Sequence, residues 1–334
     1  MKVDGGVGSD LATVGAQAQE LEEMGYSGIM TAETSHDPFF PLLVAAQNTE
    51  RVELMTSIAV AFARTPMVLA NIGHDLNAFS KGRFVLGLGS QIRPHITKRF
   101  SMPWSSPAAR MREFILAMRA IWDTWHEGKP LEFTGKFYTH TLMTPMFTPT
   151  DCDYGAPRVF LAAVGPKMTE VAGEVADGVI VHAFTTEKYL RETTIPALER
   201  GFAKAGKARD DFEVSYPVFV VTGQTEEELA DAQVATAKQI AFYGSTPAYK
   251  PVLDSIGAGE LQGELNTMSK QGRWDDMGTL ITDDILQEFA VVGEPKDIPA
   301  QIKTRYGDLV DRTSAAYAHI PKSERVKIIA DLSG

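Results

Sequence analysis

The chain has almost no cysteine: Cys152 is the only one among 334 residues. A single cysteine excludes an internal disulfide and a cysteine-based zinc site. Cys152 also lies between Asp151 and Asp153, and neighbouring negative charge raises the pKa of a thiol and works against a thiolate nucleophile. We therefore interpret Cys152 as an incidental loop residue.

Basic residues are outnumbered, since 32 Lys and Arg face 43 Asp and Glu, for a net charge of −11. This balance argues against nucleic acid and anionic membranes as partners, because both require a basic face. It permits a phosphate-bearing cofactor, which backbone N–H groups can bind locally.

Long hydrophobic runs are missing as well. No stretch reaches the ~20 apolar residues needed to span a bilayer, and residues 1–10 lack the basic and then apolar order of a signal peptide. We expect a cytoplasmic protein that acts on a small molecule.

Short apolar runs alternate with helical patterns along the whole chain. We predict strands at 2–3, 27–31, 52–60, 83–88, 158–163, 178–182, 212–222 and 313–319. Eight parallel βαβ units favour a closed (β/α)₈ TIM barrel, here a single domain over 1–334. The doubly wound alternative requires Gly-x-Gly-x-x-Gly after the first strand, and residues 5–8 have a different glycine spacing.

The pattern also predicts helices between these strands, among them 107–127, 166–176, 187–205, 294–306 and 322–332. Residues 131–142 read as a hairpin. Insertions are expected after strand four and near 244–290, the second of them helical.

Barrel enzymes carry their chemistry just beyond the carboxyl ends of the strands. Glu33 and His36 follow predicted strand two, and His182 ends predicted strand six. An imidazole titrates near neutrality and can transfer a proton. Glu33, His36 and His182 could in principle bind a metal ion together with Asp37. The sequence has no spacing typical of metal ligands, so we predict no metal.

The turn after strand five reads Ala163, Val164, Gly165, Pro166 and Lys167. Glycine allows close backbone approach, proline begins a helix, and the first helical N–H groups with the lysine charge would bind a phosphate. Taken alone, the same residues also fit an ordinary βα turn.

Three phrases in order match a known family. Residues 78–90 read AFSKGRFVLGLGS. Residues 163–168 read AVGPKM and are followed by AG at 172–173 and ADG at 176–178. Residues 292–295 read VGEP. The set resembles the bacterial-luciferase-like flavin and deazaflavin barrels over nearly the whole chain. Residues 93–104 and 108–113 are similar to an actinobacterial group that uses coenzyme F420.

The resemblance implies a deazaflavin across the barrel mouth with its phosphate side near residues 163–167. It implies a non-proline cis peptide at Ser57-Ile58 behind the ring, and Ser90 and Gln91 along the ring or tail. It also implies a homodimer. The expected reaction is hydride transfer between deazaflavin C5 and a small organic substrate.

Within that reaction we assign proton transfer to His36. Glu33 is placed beside the ring as a second catalytic residue, and His182 on the substrate side.

Two positions depart from the sugar-phosphate dehydrogenases that the sequence resembles. Those enzymes carry Asp-His after strand two, where this chain has Glu33-Thr34, and a Glu after the strand-four glycines, where it has Ile92. Glucose-6-phosphate is therefore not the expected substrate. An FMN-dependent monooxygenase and a non-catalytic deazaflavin-binding barrel are the alternative functions.

Overall fold

A computed structural model describes residues 1–314, 317 and 320–334. The strands are β1 Lys2–Gly6, β2 Gly28–Thr31, β3 Glu53–Thr56, β4 Ala59–Val60, β5 Phe84–Gly89, β6 Phe133–Thr134, β7 Thr139–His140, β8 Arg158–Ala163, β9 Gly178–Val181, β10 Glu213–Tyr216, β11 Phe219–Val221, β12 Ala290–Val292 and β13 Arg312–Ser314.

Helices alternate with these strands. They are α1 Leu11–Glu23, α2 Phe39–Asn48, α3 Pro66–Phe79, α4 Pro107–Glu127, α5 Pro166–Val175, α6 Glu187–Tyr189, α7 Ile195–Ala205, α8 Glu226–Gly244, α9 Lys250–Ser255, α10 Leu261–Lys270, α11 Trp274–Met277, α12 Asp283–Phe289, α13 Ile298–Tyr306 and α14 Lys322–Ser333. Within the described ranges, no helix has the length and apolar character needed to cross a membrane.

Eight strands form a closed barrel in the order β1, β2, β3, β5, β8, β9, β10 and β13, and β13 pairs with β1. Neighbouring strands within it pair in parallel, for example with Gly28 opposite Glu53 and Val85 opposite Arg158. The predicted (β/α)₈ barrel is therefore confirmed.

Local capping explains several helix starts. Asp10 accepts the N–H of Ala12 at 3.1 Å before α1, and Thr225 accepts the N–H of Glu228 at 3.2 Å before α8. The Glu228 carboxylate returns to the N–H of Gln224 at 2.7 Å. Such caps satisfy N–H groups that have no partner within the helix.

Two predicted strands are each interrupted. The run 52–60 divides into β3 and β4 at Ser57, and the run 212–222 divides into β10 and β11. Outside the barrel, β11 pairs in parallel with β12, with Phe219 opposite Ala290. The prediction missed β12 because its three residues lie at the end of an irregular helical stretch.

Some boundaries also differ. β1 covers Lys2–Gly6, longer than the predicted 2–3, and Gly5 within it packs close to α1, where a Cβ would lie 2.9 Å from the Leu21 side chain. The helix predicted at 294–306 begins only at Ile298. Of the strand predicted at 313–319, β13 covers Arg312–Ser314, and residues 315, 316, 318 and 319 lie outside the described residues.

The hairpin β6–β7 and the helix α4 are confirmed, the latter with the predicted bounds. The region after residue 244 is helical as expected, over α9 to α12. The helix predicted at 187–205 is continuous but includes a π-helical turn at Leu190–Thr194.

The contacts divide the chain into two compact units, and the single-domain expectation stays a prediction. The first unit comprises 5–180 and 197–213. Its strands enclose Met55, Val85, Phe160 and Ile180, with Ile58 packed against them.

The second unit comprises 1–4, 181–196 and 214–334. Its core lies between α8 and the helices that follow, around Phe184, Phe289 and Leu265. Arg312 in β13 and Asp4 in β1 form a fully buried ion pair. Arg312 Nη2 and Nε donate to the two oxygens of the Asp4 carboxylate at 2.7 and 2.8 Å.

The packing of β3 on β5 requires Gly87. A Cβ at this position would overlap the carbonyl oxygen of Thr56 and approach Ile180 at 2.9 Å. We predict that Gly87→Ala lowers the free energy of unfolding by about 3 kcal/mol or more, since neither strand can move away within a close-packed barrel. Urea titration followed by circular dichroism measures the change.

The matched control is Gly263→Ala in α10, where a new Cβ would meet nothing within 4 Å. This variant should be neutral or slightly more stable. Equal stability of Gly87→Ala and Gly263→Ala would contradict the proposed contact.

Candidate active site

The bulge between β3 and β4 contains a cis peptide bond at Ser57–Ile58, as the family resemblance implies. Its backbone is held by a hydrogen bond from the N–H of Ser57 to the carbonyl of Thr31 at 2.6 Å. The Ile58 side chain lies over Gly89, where a Cβ would be 2.8 Å from Ile58 Cδ1. The glycine at the end of β5 therefore provides the space that the bulge occupies.

Glu33 is buried and held on several sides. Its carboxylate accepts the N–H of Val60 and a guanidinium N–H of Arg64, both at 2.7 Å. Its own N–H donates to the carbonyl of Ile58 at 3.1 Å. The second Arg64 nitrogen binds Asp37 at 3.0 Å. We expected a carboxylate free for chemistry, and the structure instead places Glu33 in an ion pair that supports the bulge.

Arg64 also bears on whether this loop can bind a metal ion. Its positive charge lies between Glu33 and Asp37, the two carboxylates of the metal set considered above. Among the residues that the structure describes, no three His, Cys, Asp or Glu side chains come close enough to share a metal ion.

Burial, together with Asp151 and Asp153, raises the pKa of the Cys152 thiol.

His36 lies on the same loop and is exposed. No hydrogen bond of its imidazole to another described residue is found, so both ring nitrogens are open to a ligand. Close to it in the chain, the carbonyl of Thr34 accepts a hydrogen bond from Arg99. This bond ties the insertion after β5 to the loop that carries His36.

Ser90 and Gln91 follow β5 and are partly buried. Gln91 adopts a left-handed backbone with φ of 58°, and its side-chain oxygen accepts the N–H of Ile92 at 2.9 Å. The Ser90 hydroxyl donates to the carbonyl of Gln91 at 3.2 Å. These local hydrogen bonds between side chains and the backbone fix the conformation of the turn after β5.

The turn from β8 into α5 exposes its backbone. A Cβ on Gly165 would meet nothing within 4 Å. The Gly165 carbonyl accepts the N–H groups of Met168 and Thr169 at 3.1 Å. Two of the first-turn N–H groups that we predicted to be free are therefore occupied, while for the N–H of Lys167 no partner is found among the described residues, and the Lys167 side chain is exposed.

These segments are neighbours in the first unit. β3 pairs with β5, and β5 pairs with β8, all in parallel. The carboxyl ends of parallel strands meet at one edge of a sheet. The structure therefore brings the bulge, the Ser90 turn and residues 163–167 together. Glu33 is hydrogen-bonded to the bulge, and His36 lies three residues further along the same loop.

His182 belongs to the second unit, directly after β9. Its Nδ1 accepts the N–H of Phe184 at 3.0 Å, and burial lowers its pKa to about 4. The imidazole stacks on Tyr249 with ring centroids 4.8 Å apart and meets Tyr243 edge-on at 4.7 Å.

Sequence reasoning gave no role to Arg64, Tyr243 or Tyr249. Arg64 had one usable signal, since it is a cation at a strand end opposite two predicted strand-end carboxylates. The tyrosines had none, because their approach to His182 depends on how α8 and the turn after it pack.

A closed parallel barrel with polar residues and a cis bulge at its strand ends defines a (β/α)₈-barrel protein of the type that builds its site from strand-end loops. The model of the luciferase-like monooxygenase family matches residues 2–312, and the chain belongs to that family.

Similar proteins include an uncharacterized protein of Mycobacterium tuberculosis, 56% identical over 93% of this chain and 92% of that protein. The 5,10-methylenetetrahydromethanopterin reductase of Archaeoglobus fulgidus is 27% identical over 83% of this chain and 80% of its own length. Among solved structures, the coenzyme F420 dependent tetrahydromethanopterin reductase of Methanopyrus kandleri matches with a TM-score of 0.79 and 19% identity. That match covers 98% of this chain and 96% of the reductase.

The ion pair of Arg64 with Glu33 provides a stability test. The Glu33 side chain is 6% exposed, so removal of Arg64 leaves an uncompensated buried carboxylate. We predict that Arg64→Met lowers the free energy of unfolding by about 3 to 5 kcal/mol. The double variant with Glu33→Gln should recover much of the loss, because glutamine can still accept the Val60 N–H.

Arg51→Met is the control, since the Arg51 side chain is 70% exposed and pairs with Glu22 at 3.8 Å. Its effect should stay below about 1 kcal/mol. An Arg64→Met protein as stable as the wild type, or one that Glu33→Gln does not rescue, would refute the structural role of the pair.

Proposed function

We propose that the protein is an F420-dependent oxidoreductase that transfers a hydride between deazaflavin C5 and a small organic substrate. The observation that carries the proposal is the clustering of the cis bulge, the Ser90 turn and the open Gly165 turn at neighbouring strand ends. The F420-dependent reductase with the same fold supports the choice of cofactor.

The residues present fit such a cofactor. The bulge at Ser57 and Ile58 offers a partly exposed surface for a flat ring, while the open backbone at Gly165 and the charge of Lys167 suit a phosphate. Ser90 and Gln91 would line the ring or the tail. When bound, a deazaflavin supplies two-electron hydride chemistry.

The protein then contributes positioning and a proton. His36 is the proton-transfer residue in this proposal, because it is exposed on the loop that Glu33 joins to the bulge and an imidazole can transfer a proton. Glu33 becomes a positioning residue, since its carboxylate is occupied by Arg64 and the Val60 N–H.

Cofactor choice can be measured directly. Fluorescence titration with oxidised F420 and with FMN should show binding of F420 only. Lys167→Glu should weaken F420 about tenfold, a loss of ~1.4 kcal/mol, by placing a negative charge beside the phosphate. Lys270→Glu, an exposed charge reversal on α10, should leave the affinity unchanged.

Turnover is then assayed across alcohols, enones and sugars. Binding of FMN without F420 would replace the proposal by an FMN-dependent monooxygenase. F420 binding without turnover of any panel member would favour a non-catalytic deazaflavin-binding barrel.

His36 has a test of its own. His36→Ala should reduce kcat by roughly 10²–10⁴, the usual contribution of a general acid or base, while the affinity for F420 is retained. Unchanged turnover would remove His36 from this role.

We also propose a homodimer through the outer face of α2 and α3. Phe40, Leu43 and Phe79 are 60%, 42% and 51% exposed and line one surface pocket, and exposed apolar patches on soluble proteins mark interaction sites. Two copies of one apolar face are self-complementary across a two-fold axis.

Light scattering should give a dimer for the wild type and a monomer for the double variant Phe40→Glu, Phe79→Glu. Val234→Glu is the control, because Val234 is 57% exposed but lies on α8. A monomeric wild type would contradict the dimer.

A further inference from the structure

One nitrogen of His182 is held by the backbone of its own turn. Nδ1 accepts the N–H of Phe184 at 3.0 Å, and a nitrogen that accepts a hydrogen bond carries no proton. In a neutral imidazole the proton then resides on Nε2. The local backbone therefore selects the Nε2–H tautomer.

Two tyrosines fix the plane of the same ring. Tyr249 stacks on the imidazole with an interplanar angle of 30°, and Tyr243 meets it at 89°. These side chains come from the end of α8 and from the turn that follows it, in the region inserted after β11. Rotation of the imidazole would break both ring contacts and the hydrogen bond of Phe184.

The turn that donates to Nδ1 is itself rigid. Phe184 is 1% exposed and stacks on Phe289 with centroids 4.6 Å apart. The carbonyl of Thr185 accepts the hydroxyl of Tyr216 at 3.2 Å. Because the core of the second unit holds Phe184, its N–H cannot move away to accommodate a second proton on the ring.

The surroundings of the ring also carry no charge near neutrality. The titratable groups of the described residues that pack on His182 are the phenols of Tyr243 and Tyr249, and burial raises the pKa of Tyr249 to about 12. Burial lowers the pKa of His182 to about 4. An imidazolium would moreover direct an Nδ1–H at the Phe184 N–H.

The remaining nitrogen is available. His182 is partly exposed, and no hydrogen bond from Nε2 to a described residue is found. We propose that His182 is a fixed Nε2–H donor, uncharged near neutral pH, that recognises a carbonyl or hydroxyl oxygen of the substrate. It is then a specificity-determining residue and not a proton carrier. The proposal rests on the proposed function in taking the oxidoreductase substrate as the ligand.

The tautomer and the titration can be observed without cofactor or substrate. In ¹⁵N-histidine-labelled protein, the resonances lost in His182→Gln identify His182. We expect the Nε2–H tautomer and a titration midpoint well below the ordinary 6.5. Tyr249→Leu should raise the midpoint by admitting water, whereas Tyr154→Phe, an exposed tyrosine, should leave it unchanged.

Acid stability supplies a second readout. Between pH 6.5 and about 4 the unfolded chain binds a proton at His182 that the folded protein does not. The contribution of neutral His182 to the free energy of unfolding is therefore fully present above pH 6.5 and is lost as the pH falls toward 4. His182→Gln should show a shallower loss of stability over that range.

Ligand recognition is tested with cyclohexanone, whose single polar atom is a carbonyl oxygen. It should shift the Hε2 resonance of His182. With a substrate found in the turnover panel, His182→Leu should lower kcat/KM about tenfold at every pH from about 5 to 8. His182→Gln, which retains an N–H near the position of Nε2, should recover most of the loss.

An Nδ1–H tautomer, a midpoint near 6.5, or an ionisation in the pH–rate profile that disappears in His182→Gln would overturn the proposal. An unshifted Hε2 resonance would do the same. A chain that turns over no panel member, yet shows the Nε2–H tautomer and the cyclohexanone shift, would refute the oxidoreductase function while the donor assignment stands.

Discussion

The close approach of the Thr56 carbonyl to Gly87 is the constraint on which the site depends. β3 can lie this near β5 only because Gly87 has no side chain, and the Thr56 hydroxyl fixes the approach by donating to the Gly87 carbonyl at 2.7 Å. β3 ends there, the chain forms the cis bulge, and Ile58 occupies the space over Gly89. The Ile58 carbonyl then accepts the Glu33 N–H, so a backbone packing requirement determines where the loop after β2 lies.

The ion pairs of Arg64 also hold the loop after β2. Arg64 pairs with both Glu33 and Asp37, and its single positive charge compensates the buried Glu33 carboxylate beside the bulge. A buried charge needs a partner because its desolvation is costly. Both carboxylates of this loop are therefore held by Arg64, whereas the imidazole of His36 makes no hydrogen bond to another described residue.

The two histidines singled out by the sequence have opposite environments. His36 is exposed, whereas His182 stacks on Tyr249, meets Tyr243 edge-on and has one nitrogen occupied by the backbone. The same side chain suits proton transfer in the first setting and fixed hydrogen-bond donation in the second, because burial favours the neutral ring. Identity of residue type does not imply identity of role.

Local patterns were sufficient for the barrel. The bounds of α4 and of the strand β8 could be predicted because periodicity acts between residues close in sequence. The pairing of β11 with β12, the ion pair of Arg64 and the tyrosines on His182 could not. Each joins groups far apart in the chain, and whether they meet depends on how helices pack after the strands have formed. Sequence alone thus determined which residues stand at the strand ends, and only the tertiary structure decided which of them are free to act.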